Sequence, residues 1–152
     1  MAGIKDAVQD AIQNYGSSRE NLLPVLQDIS REQGYLSEDA MVLVAKAMDI
    51  SPADVYGVAT FYSFIDTKPR GKHVIRVCKT ISCYIHGRDS IVSAIEKKLR
   101  IKVGETTPDG RYTLVSTNCI GQCHEGPAML VNDDVYTHLT PEEAVRIIEK
   151  YV

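Results

Sequence analysis

The sequence predicts an α+β protein, an N-terminal helical bundle followed by an α/β domain, and three observations predict it. Apolar residues recur every three or four positions up to about residue 65. A polar turn with proline and glycine, DTKPRGK, follows at residues 66–72, and beyond it β-forming runs alternate with helical ones. At 152 residues and 44% hydrophobic, the chain can bury one ordinary core or two small ones, so it needs neither metal nor disulfides merely to fold. Any metal it binds should therefore serve function.

The first helix is read from Ile4, Val8, Ile12 and Tyr15, the second from Leu22, Val25, Leu26 and Ile29, the third from Met41, Val44, Ala45 and Met48. Gly16 and Gly34 stand where helix ends favour a residue tolerant of positive φ, and Ser37 can cap the third start. Ser51-Pro52-Ala53-Asp54 offers an N-cap serine, proline at the first helical position and an acid in the first turn. A fourth helix is expected over residues 51–65, with one apolar stripe through Val55, Val58, Ala59 and Tyr62 and another through Phe61, Phe64 and Ile65. The plain expectation for a helix apolar on two sides is that both stripes are internal core; the sharper one is that part of the aromatic surface docks a partner protein.

After the turn, His73 to Val77 reads as a strand, Ile91 to Leu99 as a helix capped by Asp89 or Ser90, and Tyr112 to Thr117 as a second strand. Strand, helix, strand suggests a parallel crossover. Met129-Leu130-Val131, Asn132-Asp133-Asp134 and Val135-Tyr136 form a hairpin pattern, and Thr140-Pro141-Glu142-Glu143 is a capping box that opens a last helix with Ala144, Val145 and Ile148 inward. The order β-α-β-β-β-α fits a thioredoxin-like domain.

Composition excludes several functions. Seventeen Lys+Arg against 20 Asp+Glu give a net charge of -3, and no basic run exceeds Lys97-Lys98, so neither nucleic acid nor an anionic membrane surface is an expected partner. The start, MAGIKDAVQDAIQNYG, lacks the apolar core of a signal peptide, and no apolar run approaches a bilayer span. A cytoplasmic location, without direct membrane insertion, is expected. There is no G-x-G-x-x-G, no G-x-x-x-x-G-K and no Ser/His/Asp set, so neither a nucleotide site nor a catalytic site of its own is expected.

The chemistry lies in the cysteines. All four fall in two tight pairs, Cys78/Cys83 and Cys119/Cys123. If the strands before them are parallel neighbours, both run out at one edge of the sheet, and the loops CKTISC and CIGQC face each other. A 2Fe-2S rhomb needs two thiolates on each iron, and one short loop per iron meets that need. Cys78 and Cys83 are expected on one iron and Cys119 and Cys123 on the other. Gly121 and Gly126 would let the backbone approach, while Lys79, Arg76, Arg88 and the helix start near Asp89 are candidate positive neighbours of an anionic cluster. The rivals are a structural zinc site, whose usual two-residue knuckle spacing is absent, a pair of disulfides, which a reducing compartment disfavours, and a dithiol oxidoreductase, which would want C-x-x-C. His124 adjoins Cys123, but four cysteines already fill the sites, so it is expected beside the cluster or in solvent rather than on an iron; His73, His86 and His138 stand alone and are expected as surface or hydrogen-bonded histidines rather than ligands.

VYGVATFYSF, PRGKHVIRVCKTISC, KVGETTPDGRYTL, CIGQC and GPAMLVND together resemble the small thioredoxin-like 2Fe-2S subunit of NADH dehydrogenases. That family includes the flavoprotein-associated subunit of respiratory complex I and its relatives in NAD-linked hydrogenases, some electron-bifurcating, and formate dehydrogenases. The resemblance implies cluster ligands at Cys78, Cys83, Cys119 and Cys123 and a partner flavoprotein subunit that holds FMN and the NAD(H) site, with further iron-sulfur subunits beside it. Residues 1–70 are then expected to be a partner-docking helical region and 71–152 the cluster-binding domain. Respiratory members commonly read C-L-G-A-C followed by A-P, whereas Gln122 and Gly126 stand here in place of the two alanines. That form resembles the subunits of soluble hydrogenases, the leading expectation, ahead of complex I or formate dehydrogenase. The expectation from another class is a zinc-stabilised interaction module.

Overall fold

The computed structural model describes residues 3–151, so Met1, Ala2 and Val152, the ends of the two expected regions, lie outside the described residues. The chain divides into two compact units, one up to Pro69 and one from Arg70 onward.

Among its described residues the first unit holds four α-helices: α1 (Ile4–Tyr15), α2 (Leu22–Gln33), α3 (Glu38–Ala47) and α4 (Pro52–Phe61), with a 3-10 turn at Arg19–Asn21 leading into α2. The punctuation is local chemistry. Ser37 Oγ accepts from the Ala40 N–H and Ser51 Oγ from the Asp54 N–H, each at 3.2 Å, so each serine takes up an N–H that its helix start would otherwise leave unpaired. Gly16 and Gly34 take φ of 86° and 80°, where a side chain would be strained. Val25, Leu26, Ile29, Leu36, Val44, Val55 and Ala59 close the core.

The fourth helix is shorter than its pattern. It stops at Phe61, and Tyr62 is extended. The Ile65 N–H then bonds the Tyr62 carbonyl at 3.0 Å, and the Asp66 carbonyl accepts from the Leu36 N–H at 2.7 Å. That turn carries Ile65 into the core, a tertiary arrangement that overrides helical period. The expectation that both stripes are internal is also corrected: Phe61 is 78% and Phe64 51% exposed.

The second unit is a four-stranded sheet in the order β2-β1-β3-β4, from β1 (His73–Cys78), β2 (Tyr112–Thr117), β3 (Met129–Val131) and β4 (Asp134–Tyr136). β1 and β2 are parallel, in the register His73 opposite Tyr112 through Cys78 opposite Thr117, while β3 pairs antiparallel with both β1 and β4. Helices α5 (Ile81–Ile85), α6 (Arg88–Leu99) and α7 (Pro141–Ile148) complete it. Ile75, Val77, Leu114, Met129 and Val131 from the sheet share one core with Ile91 and Ile95 of α6 and Ala144 and Ile148 of α7. The Thr140–Glu143 capping box forms as its sequence demands.

Two local expectations change. Gly87, at φ 92°, caps α6 in place of Asp89 or Ser90, and its N–H bonds the Tyr84 carbonyl at 3.1 Å, so one glycine ends α5 and begins α6. The stretch between Cys78 and Cys83 is no simple loop, because α5 forms inside it and carries Cys83.

Candidate iron-sulfur site

Strand alternation decides where the first thiol points. Ile75 and Val77 enter the helix-covered core, and Cys78 therefore turns to the other face, where it forms a separate small buried nest with Cys83, Ala128 and the half-buried Ile120. The Cys78 N–H bonds the Ala128 carbonyl at 3.2 Å and the Lys79 N–H bonds the Thr117 carbonyl at 2.9 Å, so the end of β1 is stitched to both neighbouring segments. Cys119 follows β2 by two residues, and Cys123 begins a 3-10 turn at Cys123–Glu125.

The two loops meet at this edge. Ser82 Oγ, on α5, donates to the Cys123 carbonyl at 2.7 Å. Cys119 and Cys123 Sγ lie 3.1 Å apart, and all four cysteines are free thiols. Cys78 and Cys83 are buried, Cys119 and Cys123 exposed.

The electrostatics show one shared neighbourhood. Burial pushes the Cys78 thiol up, but hydrogen bonds from the Thr80 hydroxyl and N–H, from Cys83 and from the Ile120 N–H outweigh it and leave Cys78 below the ordinary thiol range. Burial raises Cys83, and the hydrogen bond and charge of Cys78 and the charge of Cys119 add to that, against an opposing Ala128 N–H. Cys123 is raised by its hydrogen bond with Cys119 and then by Cys119, Cys78 and Cys83 as charges. Cys83 and Cys123 each respond to thiols of the other loop.

An iron-sulfur cluster asks for paired thiolates and for donors aimed at sulfur. The residues fit. Thr80 Oγ1 lies 3.1 Å from Cys78 Sγ, the Gly121 N–H donates to Cys119 Sγ at 3.4 Å, and Gly121 needs its glycine because its φ is 87°. Among the described residues, no three His, Cys, Asp or Glu side chains gather into a group for one metal ion; the thiols stand as two pairs. Gly126 differs from its expected role. Its φ is -66°, and a Cβ there would meet Cys83 Sγ at 3.5 Å, ordinary contact, so close packing does not require glycine.

The other expected neighbours separate. His124 is exposed and faces the Glu125 carboxylate at 3.6 Å. Lys79 is exposed, while Arg88 is largely withdrawn from solvent. Two residues of this edge, Thr80 and Ser82, escape sequence reasoning, whereas His86 is, as expected, an exposed, hydrogen-bonded histidine, its Nδ1 2.6 Å from the Ser82 carbonyl. Two hydroxyl residues inside C-x4-C are the signal that could have found Thr80 and Ser82.

A thioredoxin-like sheet whose strand ends present two pairs of free thiols with N–H and O–H donors on the sulfurs defines an iron-sulfur protein of ferredoxin type. The sequence profile of the thioredoxin-like [2Fe-2S] ferredoxins matches residues 8–152, and the chain belongs to that family, which implies one 2Fe-2S cluster as cofactor. Relatives include proteins named as a subunit of NADH-quinone oxidoreductase: that of Escherichia coli (strain K12) is 40% identical over 150 residues, 99% of this chain and 90% of the relative. That of Pseudomonas aeruginosa (strain PAO1) is 35% identical over 148 residues, 97% and 89%. Among solved structures, a chain of a NAD+-reducing [NiFe]-hydrogenase in the H2-reduced state superposes with a TM-score of 0.76 at 22% identity, over 89% of this chain. This chain spans 22% of that one, and the likeness shows the fold alone.

Proposed function

We propose that this chain is the 2Fe-2S electron-transfer subunit of a flavoprotein complex of the NADH-quinone oxidoreductase type, with Cys78 and Cys83 on one iron and Cys119 and Cys123 on the other. The convergence of the two pairs at the β1/β2 edge is the observation that supports it. When bound, the cluster supplies reversible one-electron storage. The chain's own groups hold and tune that site: the four thiolates ligate, Thr80 and the Gly121 N–H stabilise sulfur charge, and Ser82 ties the loops together. NAD(H) and FMN belong to a partner flavoprotein subunit, with further iron-sulfur subunits beyond it. No helix among the described residues is long and apolar enough to cross a membrane. A cytoplasmic place is part of the proposal, supported by four free thiols in tight pairs.

Relatives at 35–40% identity over nearly the whole chain, named as components of NADH-quinone oxidoreductase, support that type as the first reading. The narrower assignment to a soluble hydrogenase rests on Gln122 and Gly126, and the room for an alanine at 126 weakens that distinction. Purification of the native complex with its partners separates them.

The test of the cluster is direct. Anaerobically purified protein should contain about two irons and two acid-labile sulfides per chain, with visible charge-transfer bands. Stoichiometric zinc without sulfide would sink the proposal in favour of the zinc-stabilised module. The isolated chain should not oxidise NADH, and turnover by the lone chain would overturn its role as a carrier.

A further inference from the structure

Arg88 opens α6 five residues after Cys83, and only 18% of its side chain is exposed. Its Nη2 donates to Ser116 Oγ at 2.8 Å and its Nη1 to Asp89 Oδ1 at 2.8 Å. Its Nε is buried and, among the described residues, has no hydrogen-bond partner. A largely buried guanidinium with an unpaired donor costs stability, since neither its desolvation nor its hydrogen-bonding capacity is fully offset. Stability alone does not explain it.

Its location does. Ser116 lies opposite Val77, one register step before Cys78 opposite Thr117, and three residues before Cys119. Ser116 shares the helix-covered face with Val77, whereas Cys78 turns to the other, so the sheet lies between the guanidinium and the Cys78/Cys83 nest; at about 3.3 Å per strand step, the anchor stands on the order of 10 Å along the chain from Cys119. Asp89, its ion-pair partner, is 60% exposed, and solvent screens that carboxylate more than it screens the guanidinium. Lys79 is nearer in sequence but exposed. A charge withdrawn from water acts through a lower effective dielectric than an exposed one.

We propose that Arg88, positioned by Ser116, raises the reduction potential of the cluster held by Cys78, Cys83, Cys119 and Cys123, an inference that rests on the cluster assignment above. Reduction adds one negative charge at the sulfur cage, and a fixed cation stabilises the reduced form over the oxidised one. Ser116 acts through Arg88: it fixes where the charge stands.

The test is mediated redox titration of the full-length, cluster-loaded chain, followed by the reduced-state EPR signal, with thermal melts of the same variants. Arg88→Gln removes the charge and should lower the midpoint by about tenfold in the reduction equilibrium, ~59 mV for one electron. Arg88→Lys should keep most of the potential, Ser116→Ala should shift it in the same direction as Arg88→Gln but less, and Asp89→Asn should shift it the opposite way. A merely structural tie between α6 and β2 predicts instead lowered melting temperatures with unmoved potentials, or equal shifts in the Gln and Lys variants; either result overturns the proposal. Should Arg88→Gln fail to load, the opposite signs for Asp89→Asn and Ser116→Ala decide it. A wild-type chain without iron and sulfide would sink the cluster assignment and this inference with it, whereas a loaded chain whose potential ignores all four changes would sink this inference alone.

Discussion

The Ser82 hydroxyl donates to the Cys123 carbonyl at 2.7 Å, a bond between the two cysteine loops across 41 positions. A single such bond contributes about 0.5–1.5 kcal/mol net, enough to bias loop separation without deciding the fold. Ser82→Ala should leave the melting temperature of the chain nearly unchanged yet speed loss of the cluster to an iron chelator by about two- to tenfold. Bleaching of the visible band under chelator measures it, and equal rates for variant and wild type would show that the loops are held by the cluster alone.

Ligand identity gives the second prediction. Replacing Cys78, Cys83, Cys119 or Cys123 singly by alanine should abolish or badly destabilise the cluster, because one iron would then lose one of the two thiolates proposed for it. His124→Ala should retain it, since the imidazole faces Glu125 and solvent. Iron and sulfide analysis of the five variants decides: one dispensable cysteine together with a His124→Ala chain lacking iron would overturn the ligand set.

How much of this is legible in the sequence follows from which forces act locally. The cysteine edge is readable because β1 and β2 are rich in β-formers, and a parallel crossover puts both strand ends on one side whatever the loops do. Caps at Ser37, Ser51 and Thr140 are readable because they act within three residues. Helix α5 is not, because five residues carry too little period to register, and with α5 hidden nothing marks Gly87 as both its end and the cap of α6. The pattern over residues 51–65 overruns because Ile65 lies on helical phase, while the Leu36–Asp66 backbone bond that redirects it is a long-range contact. Arg88 stands among several cations in the sequence; its burial against Ser116 depends on the folded sheet.

The surface pair Glu96–Lys102 yields a pH prediction. Glu96 accepts from Lys102 Nζ at 2.8 Å and from the Val103 N–H at 3.2 Å, and the Lys102 hydrogen bond, foremost, holds its carboxyl below the usual range. A carboxyl whose folded pKa lies below its unfolded value leaves the unfolded chain with more bound protons, so its contribution is present above the ordinary carboxylate pKa and is lost as pH falls through the folded one. Glu96→Gln should therefore melt below wild type near neutral pH, with the gap closing as the pH drops through the acidic range. A constant gap at all pH values would assign the effect to packing rather than charge.

The last prediction concerns the aromatic end of α4. Tyr62 is partly buried against the bundle core, and the rings of Phe61 and Phe64 flank it at centroid distances of 5.0 Å and 5.4 Å. Phe61 and Phe64 are nonetheless among the exposed large hydrophobics, as is Tyr56 on the same helix. Two exposed phenylalanines beside an anchored tyrosine stabilise the free chain little, and apolar anchors of this kind dominate interface energies when a partner desolvates them. Phe61→Ser combined with Phe64→Ser should hence leave iron content and melting temperature close to wild type, and should reduce co-purification with the flavoprotein partner by at least about tenfold, the equivalent of about 1.4 kcal/mol. Tyr62→Ser is the contrasting variant, expected to destabilise the bundle itself by removing a packed ring. Comparing pull-down yield, iron content and melting temperature across the three chains separates docking from folding. Undiminished assembly by the double serine chain would refute the docking role of this surface, and a melting temperature that fell as far as that of Tyr62→Ser would return both phenylalanines to the core.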